Sequence, residues 1–283
     1  MTSEKTRILI LVKTYPVLSN KYAELVCTAG IKEDGSWIRI YPVPFRLLEK
    51  EKMYQKYQWI EVPLIRNTAD FRLESYKVTD KDQIELLEKI DTKKEWKERK
   101  EFLFNRIKIF KNLADLIKLS KETGVSLAMF KPTTIKKFVV EKSDREWDSE
   151  KLHKIENDIA QPTLFDTEEE KYSKENFQIA KKVPYKFSYE FEDSQGKKSK
   201  MMIEDWEIGQ LYWNTLESCH GDEDCAIAKV SERYSDEFIN KKDIYFFLGT
   251  TKRFHNIAPN PFLIIGVFYP PRQPEPKESL FAL

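Results

Sequence analysis

Trp37-Ile38-Arg39-Ile40-Tyr41 is the stretch on which the fold turns. Successive side chains of a strand point to opposite faces, so Ile38 and Ile40 share one face and Trp37, Arg39 and Tyr41 the other. The isoleucine face belongs to a core. The opposite face carries two rings and a guanidinium, which stack on bases and pair with phosphates where they meet water. The same side chains also suit a packed role, with Trp37 and Tyr41 beneath the helical middle of the chain and Arg39 answering a carboxylate. Both readings stand at this level. On the first, Lys13, Lys21 and Arg46 lie close by in the sequence and extend the positive surface.

Working outward, Glu33-Asp34-Gly35-Ser36 is a turn signal ahead of this strand, and Pro42 with Pro44 ends it. Arg7 to Lys13 is a continuous β-rich run and Gln58 to Ile65 alternates, so strands dominate residues 1–80. Residues 81–140 turn helical: Ile84, Leu86 and Leu87 are followed by Phe102, Leu103, Ile107, Phe110, Leu113, Leu116 and Ile117 at helix spacing, with Gly124 as a stop. Residues 141–182 are polar and broken, with Pro162 and the acidic run Glu168-Glu169-Glu170, the pattern of a flexible loop or linker. Residues 183–271 are ordered again. Tyr185 to Phe191 alternates, Gly209 to Leu216 and Ala226 to Phe238 read as helices, and Ile244 to Leu248 and Phe262 to Phe268 are apolar strands. Residues 272–283 form a Pro-rich extended tail. The class is α+β. Two β-rich ends around a helical middle fit two similar small barrels, or one composite β domain with an insertion.

The 48 Lys and Arg residues against 47 Asp and Glu leave a net charge of +1, so global charge exerts no pull on polyanions. Any nucleic-acid site must be a local concentration of cations. Cys27, Cys219 and Cys225 are an odd number without a disulfide framework, and Met1-Thr2-Ser3-Glu4-Lys5 opens without a long apolar stretch. Together these predict a reducing, cytoplasmic setting. The apolar run Ile8 to Val12 is far shorter than the roughly 20 residues of a membrane-spanning helix, and no other stretch approaches that length.

Several blocks together resemble the prokaryotic dual-OB-domain proteins. They are Cys27-Thr28-Ala29-Gly30, Asp34-Gly35-Ser36-Trp37-Ile38-Arg39 with Pro42 after it, Ile203-Glu204-Asp205-Trp206-Glu207, and Phe247-Leu248-Gly249-Thr250 followed by Phe262-Leu263-Ile264-Ile265-Gly266. The resemblance touches both ends of the chain and implies two OB-like β-barrels, with the helical segment as an insertion between them. It also implies nucleic-acid binding, often in genome-conflict systems, and carries over no catalytic residue. The long helical middle and the loop after Glu141 depart from the compact family pattern.

Other segments carry their own chemistry. Thr250-Thr251-Lys252-Arg253-Phe254-His255 places hydroxyls, cations and rings in one loop, suited to backbone-phosphate and base contacts or simply to a solvated connection. Glu204, Asp205 and Glu207 have the composition of a magnesium site for phosphodiester hydrolysis, yet they lack the nearby Lys that many such nucleases pair with their Glu, and acids also collect at helix starts. Cys219, His220 and Cys225 lack a second pair to complete a zinc shell; Gly221 there reads as a turn and the neighbouring acids as caps for the next helix. No nucleophile elbow and no Gly-rich phosphate loop occurs. Gln161-Pro162-Thr163-Leu164-Phe165 resembles the peptide with which bacterial DNA-metabolism proteins dock on the sliding clamp, through Gln161, Leu164 and Phe165.

The sequence thus predicts a cofactor-free recognition or adaptor protein for single-stranded or structured DNA or RNA, within a prokaryotic DNA-processing or defence system. Trp37, Tyr41 and Phe254 are the expected stacking residues, and Arg39, Arg46, Lys252 and Arg253 the expected phosphate contacts. A sliding clamp or an operon-encoded effector is the expected kind of protein partner. A metal-dependent nuclease or nucleic-acid-modifying enzyme, or a purely protein-interacting subunit, is the competing expectation.

Overall fold

In the computed structural model, which describes residues 4–19, 23–159 and 178–272, the run Ile8–Val12 is wholly buried. A strand buries every residue only when both its faces are covered, and here alternate side chains serve different cores. On β1 (Glu4–Lys13), Ile8 and Ile10 join a cluster with Ile38, Ile40, Ile60 and Val62, while Leu9 and Leu11 join one with Leu127, Met129, Phe247 and Phe268.

The first of these cores lies inside a closed barrel. β1 pairs with β3 (Ala23–Ile31), β3 with β4 (Trp37–Val43), β4 with β6 (Ser75–Val78), β6 with β5 (Gln58–Arg66), and β5 returns to β1. Of these five pairings only β4–β6 is parallel. β2 (Val17–Ser19) extends β3, and β7 (Glu85–Lys89) extends β5. β7 therefore takes Leu86 and Leu87 out of the helical segment predicted from 81, because pairing with β5 overrides local spacing. At Gly30, opposite Ile10, an added Cβ would stand 2.2 Å from the Leu9 carbonyl oxygen, so the β1–β3 approach requires glycine.

α1 (Lys93–Arg106) lays Leu103 and Phe102 against the second cluster, with the Phe102 ring 5.4 Å from Trp59. Its first turn is irregular: Lys94, Glu95 and Trp96 all have positive φ, a conformation costing roughly 1–2 kcal/mol per non-glycine residue. After the short β8 (Ile109–Phe110), α2 (Leu113–Thr123) is capped by the Asn112 side chain and stops at Gly124, whose φ of 78° is left-handed as its stop role requires.

The second half contains two sheets. β9 (Leu127–Phe130), β13 (Tyr245–Thr250) and β14 (Phe262–Phe268) form, with β8, a four-stranded sheet in the order β14-β13-β9-β8; β10 (Thr134–Lys142), β11 (Tyr185–Glu192) and β12 (Lys198–Met202) form a three-stranded one. An isolated bridge from Ile203 to Ile264 links them. The four-stranded sheet is also buried on both faces. Met129 and Phe247 face the barrel-side cluster, whereas Phe130, Phe246 and Leu248 pack with Phe187, Tyr189 and Phe191. α3 (Ser149–Ile159) occupies part of the expected 141–182 linker and seats Ile155 against Leu18 and Ala23.

α4 (Trp206–Ser218) and α5 (Glu223–Ser231) complete the second core, followed by a π-helical turn at Glu232–Glu237 and α6 (Phe238–Lys241). Gly221 turns the chain with φ 87°, and Asp222 caps α5 through the Cys225 amide. Cys219 and Cys225 are joined by a disulfide across this turn, and Cys27 is the odd free cysteine; the count of three did not point to this bond. Among the described residues no helix is long and apolar enough to cross a membrane.

Candidate nucleic-acid interface

The face of β4 that carries Trp37, Arg39 and Tyr41 does not meet water as a cationic shelf. It turns toward the four-stranded sheet, and Arg39 is 1% exposed. Its Nη1 donates to Ser126 Oγ at 2.6 Å and its Nη2 to the Ser126 carbonyl at 3.2 Å. Glu74 holds the same serine, accepting from its amide at 2.9 Å and from its hydroxyl at 2.8 Å. Arg39 is therefore corrected from a phosphate contact to an internal tie between the barrel and the residue preceding β9. Trp37 is half-buried with its ring edge-on to Phe247, and Tyr41 is half-buried with its carbonyl accepting from Asn67. Arg46 pairs at 2.8 Å with Glu24, whose carboxylate is buried. Lys21 lies outside the described residues, as do Gln161, Leu164 and Phe165.

The tie beneath β4 continues into a polar network that fixes two loops. In the loop joining β5 to β6, Asp70 accepts from Arg72 Nε at 2.9 Å, Arg72 Nη2 at 2.6 Å and Ser75 Oγ at 2.8 Å. Burial alone raises the Asp70 carboxyl, but these donors outweigh it and hold it at about 2. Arg72 also donates to the Thr250 carbonyl at the end of β13. The Thr250 hydroxyl is 2.8 Å from His255 Nδ1, and burial, reinforced by Arg72, depresses that imidazole so that it stays neutral near pH 7. Residues 67–74 and 251–261 are thereby held side by side. Lys252 Nζ donates to the Ala69 carbonyl at 2.5 Å, and the Phe71 and His255 rings are 5.5 Å apart.

What this pair of loops presents to solvent is apolar and cationic. Five large hydrophobic side chains are exposed among the described residues, and four of them lie here: Phe71, Leu73, Phe254 and Ile257. Lys252 and Arg253 are exposed beside them, with the Arg253 guanidinium 5.1 Å from the Phe254 ring. The loops' two carboxylates, Asp70 and Glu74, are already engaged by Arg72 and Ser126. Of the predicted contact residues, the structure thus gathers Lys252, Arg253 and Phe254, and adds Phe71 from the barrel half. Phe71 follows no motif; its signal is only a large ring between loop-forming residues.

The acidic cluster has a different role. Asp205 is fully buried, caps α4 through the Glu207 amide at 3.2 Å, and accepts from Lys56 at 3.1 Å. Glu207 accepts from the same ammonium at 3.0 Å. Burial opposes the Lys56 charge, but Asp205 and Glu207 outweigh it and keep the amine protonated. The lysine that meets these acids thus comes from the barrel, as an ion-pair partner. Among the described residues no group of three His, Cys, Asp or Glu side chains is arranged to hold a metal ion.

Two family models cover this arrangement. Residues 4–105, the barrel with α1, match the family described as Domain of unknown function (DUF8758), and residues 108–283 match the one described as Domain of unknown function (DUF8757). The second match spans more than half of the chain, which therefore belongs to the DUF8757 family. No curated protein matches the chain.

Proposed function

We propose that the protein binds single-stranded or structured nucleic acid through the surface formed by loops 67–74 and 251–261, as a recognition or adaptor component of a prokaryotic DNA-processing or defence system. One observation carries this reading: Phe71, Phe254, Lys252 and Arg253, from opposite halves of the chain, share one exposed surface whose carboxylates already accept from Arg72 and Ser126. Rings offer stacking platforms that tolerate any base, and lysine and arginine beside them follow the phosphate backbone. Arg39, Arg72 and His255 lie beneath and hold the loops in place. The same reading takes the second half as an opened OB-like barrel, supported by the Ile203–Ile264 bridge that joins its two sheets at one corner. It relates the chain to the dual-OB-domain proteins that its sequence blocks resemble.

Fluorescence anisotropy with a labelled single-stranded oligonucleotide tests the proposal. Phe71→Ala with Phe254→Ala is expected to weaken binding by about 1–3 kcal/mol per lost stack. Unchanged affinity in a folded double variant would remove the interface from these loops.

A protein-interacting surface is the second reading, and Leu73 and Ile257 favour it, since they are 57% and 71% exposed and aliphatic side chains stack poorly on bases. Leu73→Ser with Ile257→Ser separates the two. Nucleic-acid affinity is expected to persist in that variant if the rings and cations carry binding.

A further inference from the structure

A second site, which shares no residue with the loop surface, lies where the barrel, α1 and the start of α4 meet. There a pocket of about 300 Å³ opens between the two halves of the chain, a volume at the lower end of small-molecule sites. Its cations come from four separate elements: Lys13 ends β1, Lys56 precedes β5, Lys89 ends β7, and Arg99 lies on α1. Among the described residues Glu207 is the one carboxylate in the lining; Asp205 lies behind it and Asp91 acts on Arg99, and Lys56 engages both Asp205 and Glu207. Lys13 donates to the Tyr54 carbonyl at 3.2 Å and Lys89 to the Gln55 side chain at 2.5 Å; among the described residues neither forms an ion pair.

The walls are aromatic. Lys13 Nζ lies 5.3 Å from the Trp206 ring, while the Trp96 ring is 5.1 Å from that of Tyr269 and inclined to it by 57°. The left-handed residues Lys94–Trp96 hold that indole at the pocket wall, and Arg99 braces it from 4.9 Å. Tyr57, also in the wall, has a buried hydroxyl with no hydrogen-bond partner.

We infer that this pocket binds a nucleoside monophosphate group, its phosphate between Lys13 and Lys89 and its base against the indoles of Trp96 and Trp206. Two lysines without acid partners supply the charge a phosphate monoester needs, and flat rings supply a stacking surface that inorganic phosphate cannot use. Glu207, bonded by Lys56 through one oxygen, has acceptor capacity left for a ribose hydroxyl or a base amine. Burial and the adjacent Lys56 lower Lys13 to about 8, with Glu207 and Asp205 opposing them.

Isothermal titration calorimetry of the full chain with AMP, adenosine and inorganic phosphate tests the inference. AMP is expected to bind at one site, with adenosine and inorganic phosphate each at least about tenfold weaker. Lys89→Ala, at an exposed position that leaves folding intact, is expected to weaken AMP by about tenfold, and Lys13→Met, which keeps the packed stem, by at least as much. A 5′-phosphorylated oligonucleotide that displaces AMP identifies the source of the group as a strand end, and one that does not identifies it as free nucleotide. Absence of AMP binding to folded protein, equal binding of inorganic phosphate, or unchanged affinity in both lysine variants would overturn the inference. Neither lysine belongs to the loop surface, so strand binding lost through Phe71 and Phe254 fails or succeeds separately.

Discussion

Arg39 Nη1 donates to Ser126 Oγ at 2.6 Å across 87 residues of sequence, and Glu74 accepts from the same hydroxyl. The chain Arg39–Ser126–Glu74 ties the barrel to the sheet that covers it. Arg39→Ala removes two hydrogen bonds from a buried guanidinium to Ser126 and leaves a cavity where the side chain packed, and is expected to cost about 2–4 kcal/mol. Urea denaturation measures it. Arg39→Lys keeps the charge and loses the forked grip, so a smaller loss is expected, with oligonucleotide affinity of the folded variant unchanged.

Asp70 is held at about 2, below its unfolded value of about 3.9, by the donors of Arg72 and Ser75. A depressed carboxyl contributes stability that is fully present above the unfolded value and is lost as pH falls through the folded one. Between pH 4 and pH 2 the protein is expected to lose about 1–2 kcal/mol at this site, allowing for solvent screening. Asp70→Asn starts less stable at pH 7 and falls less steeply over the same window. Thermal melts across that range compare the two slopes.

Gly30→Ala places a Cβ 2.2 Å from the Leu9 carbonyl oxygen and 2.8 Å from Ile8 Cγ2. Backbone cannot move aside as a flexible side chain does, so a loss of about 2–3 kcal/mol is expected in the midpoint of denaturation.

Affinity of the monophosphate pocket depends on Lys13 remaining charged. The groups facing its amine are Lys56 and Lys89, which with burial lower it to about 8, and Glu207 and Asp205, which oppose them. With the phosphate doubly charged above its second pKa of about 6, AMP binding is expected to be strongest near pH 7 and to decline through pH 8 and above, while Lys13→Met shows no such decline. Calorimetry at pH 7 and pH 9 distinguishes these outcomes.

The alternation of Ile38 and Ile40 against Trp37, Arg39 and Tyr41 is correct as read, because period-two geometry is local. What covers the second face is not local. Ser126 meets Arg39 only after the sheets pack, so the choice between a wet shelf and an internal tie was beyond the reach of the strand itself. The same holds for Lys56, which reaches Asp205 across 149 residues. Lys252, Arg253 and Phe254 were legible because one loop carries all three, whereas Phe71 joins them through the contact between its ring and His255. Leu86 and Leu87 misled because apolar spacing in a short strand at the barrel edge overlaps that of a helix.

The most direct test of strand binding through the loops is the salt dependence of single-stranded DNA affinity, for the natural chain and for Lys252→Ala with Arg253→Ala. Each phosphate contact contributes about 0.7 to the slope of log affinity against log salt. Loss of both cations is expected to lower that slope by about 1.4, with the variant still folded. An identical slope for the two proteins, or no salt-sensitive binding by the natural chain, would contradict it.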